Sequence, residues 1–179
     1  MHRFICGPTD IKGNEIIMSD SGELHHMFRV LRLTSGDEVT ILDGEGGKYF
    51  CKISKRDENQ ATLEIIERLI TNKEDIKTKL TVACAWLAKD KMNFVIEKLT
   101  ELSTERIILI ETERTEIKPA DVQQRIEKLR MTSFQALKQS GALFLPVIEY
   151  MTFPEMLEIV GDFDLALLLD LQFVQLVAE

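Results

Sequence analysis

The stretch over residues 80–115, LTVACAWLAKDKMNFVIEKLTELSTERIILIETERT, constrains this chain most. An apolar run, a short charged loop, an amphipathic segment and a second apolar run follow each other with little between them. That order predicts a strand–helix–strand crossover, which packs back onto a parallel sheet with one hand. In such sheets ligands bind beyond the carboxyl ends of the strands. Lys89, Asp90 and Lys91 fall at one of those ends. Asp90 is placed as N-cap of a helix over 91–102, with Met92, Val95, Ile96, Leu99 and Leu102 as its buried stripe.

Two regions of different grammar meet near residues 71–75. The first carries short β-type runs at 4–6, 15–18, 38–42, 49–53 and 61–66, separated by Gly and Asp/Asn turns. Strands at this spacing predict a small barrel. One helix interrupts it: Ser21 caps a segment whose Leu24, Met27, Phe28 and Leu31 share a face. The segment Asp43-Gly44-Glu45-Gly46-Gly47-Lys48 precedes a strand and lacks the spacing of a phosphate-binding loop. It reads as a hairpin turn with glycine at positive φ.

The second region alternates strands and helices. Residues 107–110 form the next strand, and Pro119 opens a longer helix with Val122, Ile126, Leu129, Phe134 and Leu137 inward. Gly141 ends that helix, and 145–148 is a short strand. Thr152 and Glu155 form a capping box for a helix that stops at Gly161. The run over 164–170 is nearly all apolar. Such a strand is buried on both faces, so it is placed centrally in the parallel sheet. No closing helix or flanking strand is read in the last nine residues. Completion of the sheet is expected from a partner chain or from sequence beyond Glu179.

Charge narrows the function. The net −8 divides into −3 over residues 1–72, +2 over 73–146 and −7 over 147–179. Generic nucleic-acid binding, which relies on phosphate neutralisation, is disfavoured, and a nucleic-acid site must be a local basic patch. Arg29 and Arg32, spaced i, i+3, read either as a solvated helix face or as a phosphate-contacting pair. Lys89 and Lys91 read either as a charged surface loop or as a ligand site at a helix N-terminus. If the strands at 80–87, 107–111 and 164–169 run parallel, Lys89, Glu113, Arg114 and Asp170 share one rim. No stretch reaches the roughly 18 apolar residues of a membrane span. No signal peptide opens the chain, and Cys6, Cys51 and Cys84 read as buried reduced thiols, so a cytoplasmic protein is expected. The three histidines lack metal-ligand spacing, so no metal site is expected. No G-x-G-x-x-G follows a strand of the second region, which removes the usual dinucleotide fingerprint.

Two blocks then match a family. HMFRVLRL at 26–33, Gly36-Asp37 and Asp43-Gly44 resemble the N-terminal module of RsmE-type ribosomal RNA methyltransferases. LAKDKMNFVIEKLTEL at 87–102, TER at 112–114, QALKQSG at 135–141 and Pro146 resemble the first part of that family's catalytic domain. The resemblance implies an α+β two-domain chain: a PUA-like, RNA-binding β-barrel over 1–72 and a partial α/β SPOUT domain with a parallel sheet over 73–179. It implies transfer of a methyl group from S-adenosylmethionine to ring N3 of a uridine in small-subunit ribosomal RNA, by a homodimer. Arg29, Arg32, Lys89 and Lys91 are then expected at the RNA. Leu169 and Asp170 are expected at the cofactor. Arg114 and Glu113 are the catalytic candidates, with Asp170 a second candidate base.

The family's Gly-Pro-Glu-Gly-Gly loop and Leu-Arg-x-Glu-Thr segment, which form the trefoil knot and most of the cofactor pocket, do not occur in this sequence. Ser103 stands where the family usually has Gly, and Ala142 where it usually has Arg. The knot part is therefore expected to be missing from this chain. The alternative reading is a non-catalytic RNA-binding or dimerisation remnant.

Overall fold

The computed structural model describes residues 2–112, 119–169 and 174–178. In chain order the elements begin with β1 (His2–Ile5), β2 (Ile11–Lys12), β3 (Glu15–Met18) and α1 (Ser21–His25). β4 (Glu38–Leu42), β5 (Gly47–Arg56) and β6 (Ala61–Ile70) complete a mixed six-stranded sheet in the order β1-β4-β5-β6-β3-β2. Strand alternation explains its core. Tyr49, Cys51 and Ile53 of β5 and Ala61, Leu63 and Ile65 of β6 are buried, while Lys52, Ser54 and Glu64 between them are exposed. Phe4, Ile16, Met18, Met27, Val39 and Ile41 fill the same core. The order is open, with β1 and β2 at its ends and no ladder between them among the described residues.

The helix of this region starts one residue earlier than its sequence suggests. Asp20, not Ser21, is the N-cap, and its carboxylate accepts from the Glu23 amide at 2.8 Å. After α1 the chain widens into one π-type turn over His26–Val30, where the Leu31 amide reaches back to the His26 carbonyl. This turn buries both Met27 and Phe28 and leaves Arg29 exposed. Arg32 lies past the turn in the left-handed region, at φ 56°. The i, i+3 helical geometry expected of Arg29 and Arg32 is therefore not formed.

The second region supplies β7 (Thr81–Ala85), α2 (Lys89–Glu101), β8 (Arg106–Glu111), α3 (Pro119–Ser140), β9 (Val147–Thr152) and α4 (Phe153–Glu158). The three strands are parallel in the order β7-β8-β9. Ile107 and Leu109 of β8 face Met92, Ile96, Ile126 and Leu129 of α2 and α3. Ile108 and Ile110 are also buried. The strand covered on both faces is therefore β8, as an inner parallel strand should be.

The run placed there from sequence sits elsewhere. β10 (Ala166–Leu169) pairs antiparallel with β11 (Val174–Ala178), and Leu167, Leu168 and Leu169 are more than half exposed. An apolar run specifies burial potential but not a partner, and here a later strand, unseen in the sequence, takes the pairing. α4 ends at Glu158 behind the expected capping box, and a 3₁₀ turn over Val160–Asp162 replaces its last turn.

α2 also differs at both ends. Its N-cap is Ala88, whose carbonyl accepts from the Met92 amide at 2.9 Å, and Asp90 falls inside the first turn. At the other end Leu102 is 71% exposed, because the helix stops at Glu101 and the chain turns through Ser103 at φ 57°. Thr100 takes the buried place, donating to the Ile96 carbonyl at 2.7 Å and contacting the Ser133 hydroxyl at 3.1 Å. A non-glycine residue in the left-handed region costs roughly 1–2 kcal/mol. Ser103→Gly is expected to raise the urea midpoint by the equivalent of about 0.5–1 kcal/mol, less than the strain because glycine also loosens the unfolded chain.

The two regions meet through α3 and the loop after it. Lys138 reaches Glu23 at 2.7 and 2.9 Å and His26 Nδ1 at 3.1 Å, and its ammonium sits 5.0 Å from the centroid of Phe4. Arg3 donates to the Gln139 carbonyl at 2.6 Å, closing the end of α3. The Gly46 amide donates to Leu143, the Leu145 amide to Gly44, and the Thr71 amide to Gly46, at 2.9–3.0 Å. Asp43 organises this loop: one carboxylate oxygen accepts from the Glu45 and Gly47 amides, the other from the Tyr49 hydroxyl. Burial and that bond push the Tyr49 phenol up to about 12. Gly44 and Gly46 have positive φ, as a tight turn requires.

Candidate functional site

The carboxyl edge of β7-β8-β9 is the candidate site. Register puts Ala85 beside Ile110 and Glu111 beside Thr152. The Trp86 amide donates to the Ile110 carbonyl at 3.1 Å, extending the ladder by one residue. Alternation then sends Trp86, Glu111 and Tyr150 to the face that carries Cys84, Leu109 and Ile148. The Trp86 and Tyr150 rings meet edge to face, with centroids 6.1 Å apart. The Tyr150 hydroxyl donates to the Glu111 carboxylate. That bond, with burial adding to it, raises the phenol to about 12. The edge thus holds an aromatic wall and a carboxylate oriented by a phenol.

Sequence reading missed Trp86, Glu111 and Tyr150. The signal was present: each continues the period-2 alternation of its strand by one step beyond the apolar residues. Only the register shows that the three steps converge.

The predicted residues are distributed as follows. Lys89 and Lys91 are exposed in the first turn of α2, at the carboxyl end of β7. Arg29 is exposed on the turn after α1, and Arg32 is exposed just past it. Leu169 is 77% exposed at the end of β10. Glu113, Arg114 and Asp170 lie outside the described residues, and the rim that was to unite them with Lys89 loses its 164–169 strand to the β10–β11 hairpin.

Cys6 and Cys51 are buried and Cys84 is half-buried, all three as free thiols. Burial pushes Cys6 and Cys51 up to about 12 and raises Cys84. They are poor nucleophiles in this state. Among the described residues no helix is long and apolar enough to cross a membrane, and no cluster of His, Cys, Asp and Glu has metal-binding geometry.

A family model described as the RNA methyltransferase domain matches residues 74–178. The chain belongs to this RNA methyltransferase family. The RNA methyltransferase PUA domain matches residues 20–66, so the first region is PUA-like. The ribosomal RNA small subunit methyltransferase E of Synechocystis is 29% identical over 169 residues, 93% of this chain and 54% of the relative. The protein of the same description from Bacillus subtilis is 26% identical, over 79% of this chain and 56% of the relative. The chain spans about half the length of these curated relatives. Among solved structures, the ribosomal RNA small subunit methyltransferase E of Neisseria gonorrhoeae, bound to S-adenosyl methionine, superposes with a TM-score of 0.71 at 22% identity. That match covers 88% of this chain and 64% of the other and reports the shared fold.

Proposed function

We propose that this protein transfers a methyl group from S-adenosylmethionine to ring N3 of a uridine in small-subunit ribosomal RNA. The single observation that carries this reading is the family match over residues 74–178, joined to a PUA match over 20–66. The names of the Synechocystis and Bacillus relatives supply the substrate class. In this reading residues 1–72 form a PUA-like domain that holds RNA through Arg29 and Arg32. Residues 73–179 form the SPOUT portion of a cytoplasmic homodimer, with Lys89 and Lys91 facing RNA phosphates at the N-terminus of α2.

The carboxyl edge falls short of a complete cofactor cradle. Trp86 is packed on Tyr150, and the Glu111 carboxylate already accepts a hydrogen bond. These side chains make one wall. Leu169 and Asp170 remain the proposed cofactor contacts.

Uridine N3–H is a weak acid, so methylation there needs a base or a cation to stabilise the developing anion. Glu113 is the proposed base and Arg114 the proposed cation, both directly after β8 in the chain. Transfer of labelled methyl from S-adenosylmethionine to purified small-subunit ribosomal RNA by the gene product tests the activity. Arg114→Ala is expected to lower the rate by about 10²-fold or more, in the range of removing one electrostatic stabiliser. No transfer by the unmodified protein would refute the reading.

A further inference from the structure

We infer that Arg56, seated on the ring of Phe28, is a further RNA-phosphate contact and the pre-organised member of a three-arginine surface. The inference rests on the proposed RNA role of Arg29 and Arg32 and deepens it.

The guanidinium carbon of Arg56 lies 4.4 Å from the centroid of Phe28. Phe28 is 8% exposed and belongs to the core of the first region, so the ring is a fixed platform. Arginine stacks on aromatic faces while its planar fork keeps its N–H donors free at the edge, the geometry that grips a phosphate in two places. Arg56 itself is exposed. Stacking removes conformational freedom before any ligand arrives, which lowers the cost of binding.

The same stretch of chain supplies further positive charge. Arg29 follows Phe28 in the chain, and Arg32 lies three residues farther on; both are exposed. Farther along the chain, past Arg32, the Gly36 amide donates to the carbonyl of Ile53 in β5, three residues before Arg56, and the Ile53 amide donates to Asp37. Several carboxylates of the first region have partners of their own. Asp20 caps α1, Glu23 holds Lys138, Asp37 accepts from Thr34, and Asp57 takes Lys55 and Gln60. Among the described residues no ion pair compensates Arg29, Arg32 or Arg56, in a chain whose net charge is −8. The left-handed backbone at Arg32 turns that residue out of the helical path.

The test is the salt dependence of affinity for purified small-subunit ribosomal RNA, measured with the gene product, Arg56→Gln, Arg56→Lys, and Arg29→Ala with Arg32→Ala. Arg56→Gln is expected to weaken binding about fivefold or more at physiological salt and to reduce the log–log salt slope by roughly 0.7–0.9, one phosphate's share. Arg56→Lys should keep the slope but lose part of the affinity, because a point charge replaces the fork. If the Arg29/Arg32 double variant weakens binding and Arg56→Gln does not, the inference fails and the RNA reading stands. If Arg56→Gln weakens binding without changing the slope, its effect is not a phosphate contact and the inference fails. If no variant changes binding, the RNA reading of this surface fails with it. Unchanged thermal unfolding of Arg56→Gln, expected for an exposed side chain, separates these outcomes from misfolding.

Discussion

Gly46→Ala is expected to cost about 2–5 kcal/mol and to loosen the junction between the two sheets, because backbone strain and overpacking add. The residue sits at φ 107°, where an L side chain is strained. A Cβ there would also lie 2.1 Å from the Thr71 carbonyl oxygen and 2.7 Å from the Phe144 ring. The first obstacle is backbone, so relief requires moving the chain that links β6 to the second region, at an overpacking cost of about 1–3 kcal/mol. The same movement breaks the bonds from the Gly46 amide to Leu143 and from the Thr71 amide to Gly46. Gly13→Ala is the control. Gly13 has φ 60°, and a Cβ added to it would meet nothing within 4 Å, so the change should cost only about 1–2 kcal/mol. Urea titrations of both variants check the contrast, and equal midpoints would refute the steric part of the explanation.

Lys138→Met carries the second large effect. The Lys138 and Glu23 side chains are only 12% and 14% exposed. Removing the ammonium leaves a largely buried carboxylate supported by the Ile5 amide at 3.2 Å. The expected loss is about 3 kcal/mol, the size found when one partner of a buried pair is removed. Neutralising the carboxylate as well, with Glu23→Gln, should recover more than half of it. Urea titrations of the single and double variants check this, and no recovery in the double variant would show that the loss is not electrostatic.

The same cluster predicts a pH effect. Burial first, and then the Lys138 ammonium, lower the His26 pKa from its ordinary 6.5, against the raising effect of Glu23; His2 and His25 add to the lowering. The unfolded chain therefore binds a proton that the folded chain resists. Stability from this residue is present above pH 6.5 and falls as pH drops through the lowered folded value. His26→Gln should flatten that acid-side slope in urea titrations taken across this window; an unchanged slope would show that another group is responsible.

Local signals were legible in the sequence, and pairings were not. The end of α3 at Gly141 and the Thr152–Glu155 capping box depend on neighbours in the chain, and the structure forms them as expected. The β-rich first region and the parallel β7–β8 crossover followed from hydrophobic period. Period could not choose between Asp20 and Ser21 as a cap, because both side chains suit the role. It could not assign the partner of β10, because Leu167, Leu168 and Leu169 would fill a central parallel strand as readily as an exposed hairpin. Contacts between distant residues left no trace in sequence: Lys138 and Glu23 are 115 residues apart, and the Trp86–Tyr150–Glu111 edge exists only through strand register. The resemblance to the RsmE type, by contrast, rested on two ordered motif blocks, and the family matches agree with it.

The most direct measurement is the nucleoside composition of small-subunit ribosomal RNA from cells with and without the gene, digested and resolved by mass spectrometry. One 3-methyluridine should disappear when the gene is disrupted and return when the gene is restored. An unchanged 3-methyluridine content, or loss of a methyl group from a different position or base, would contradict the proposed activity.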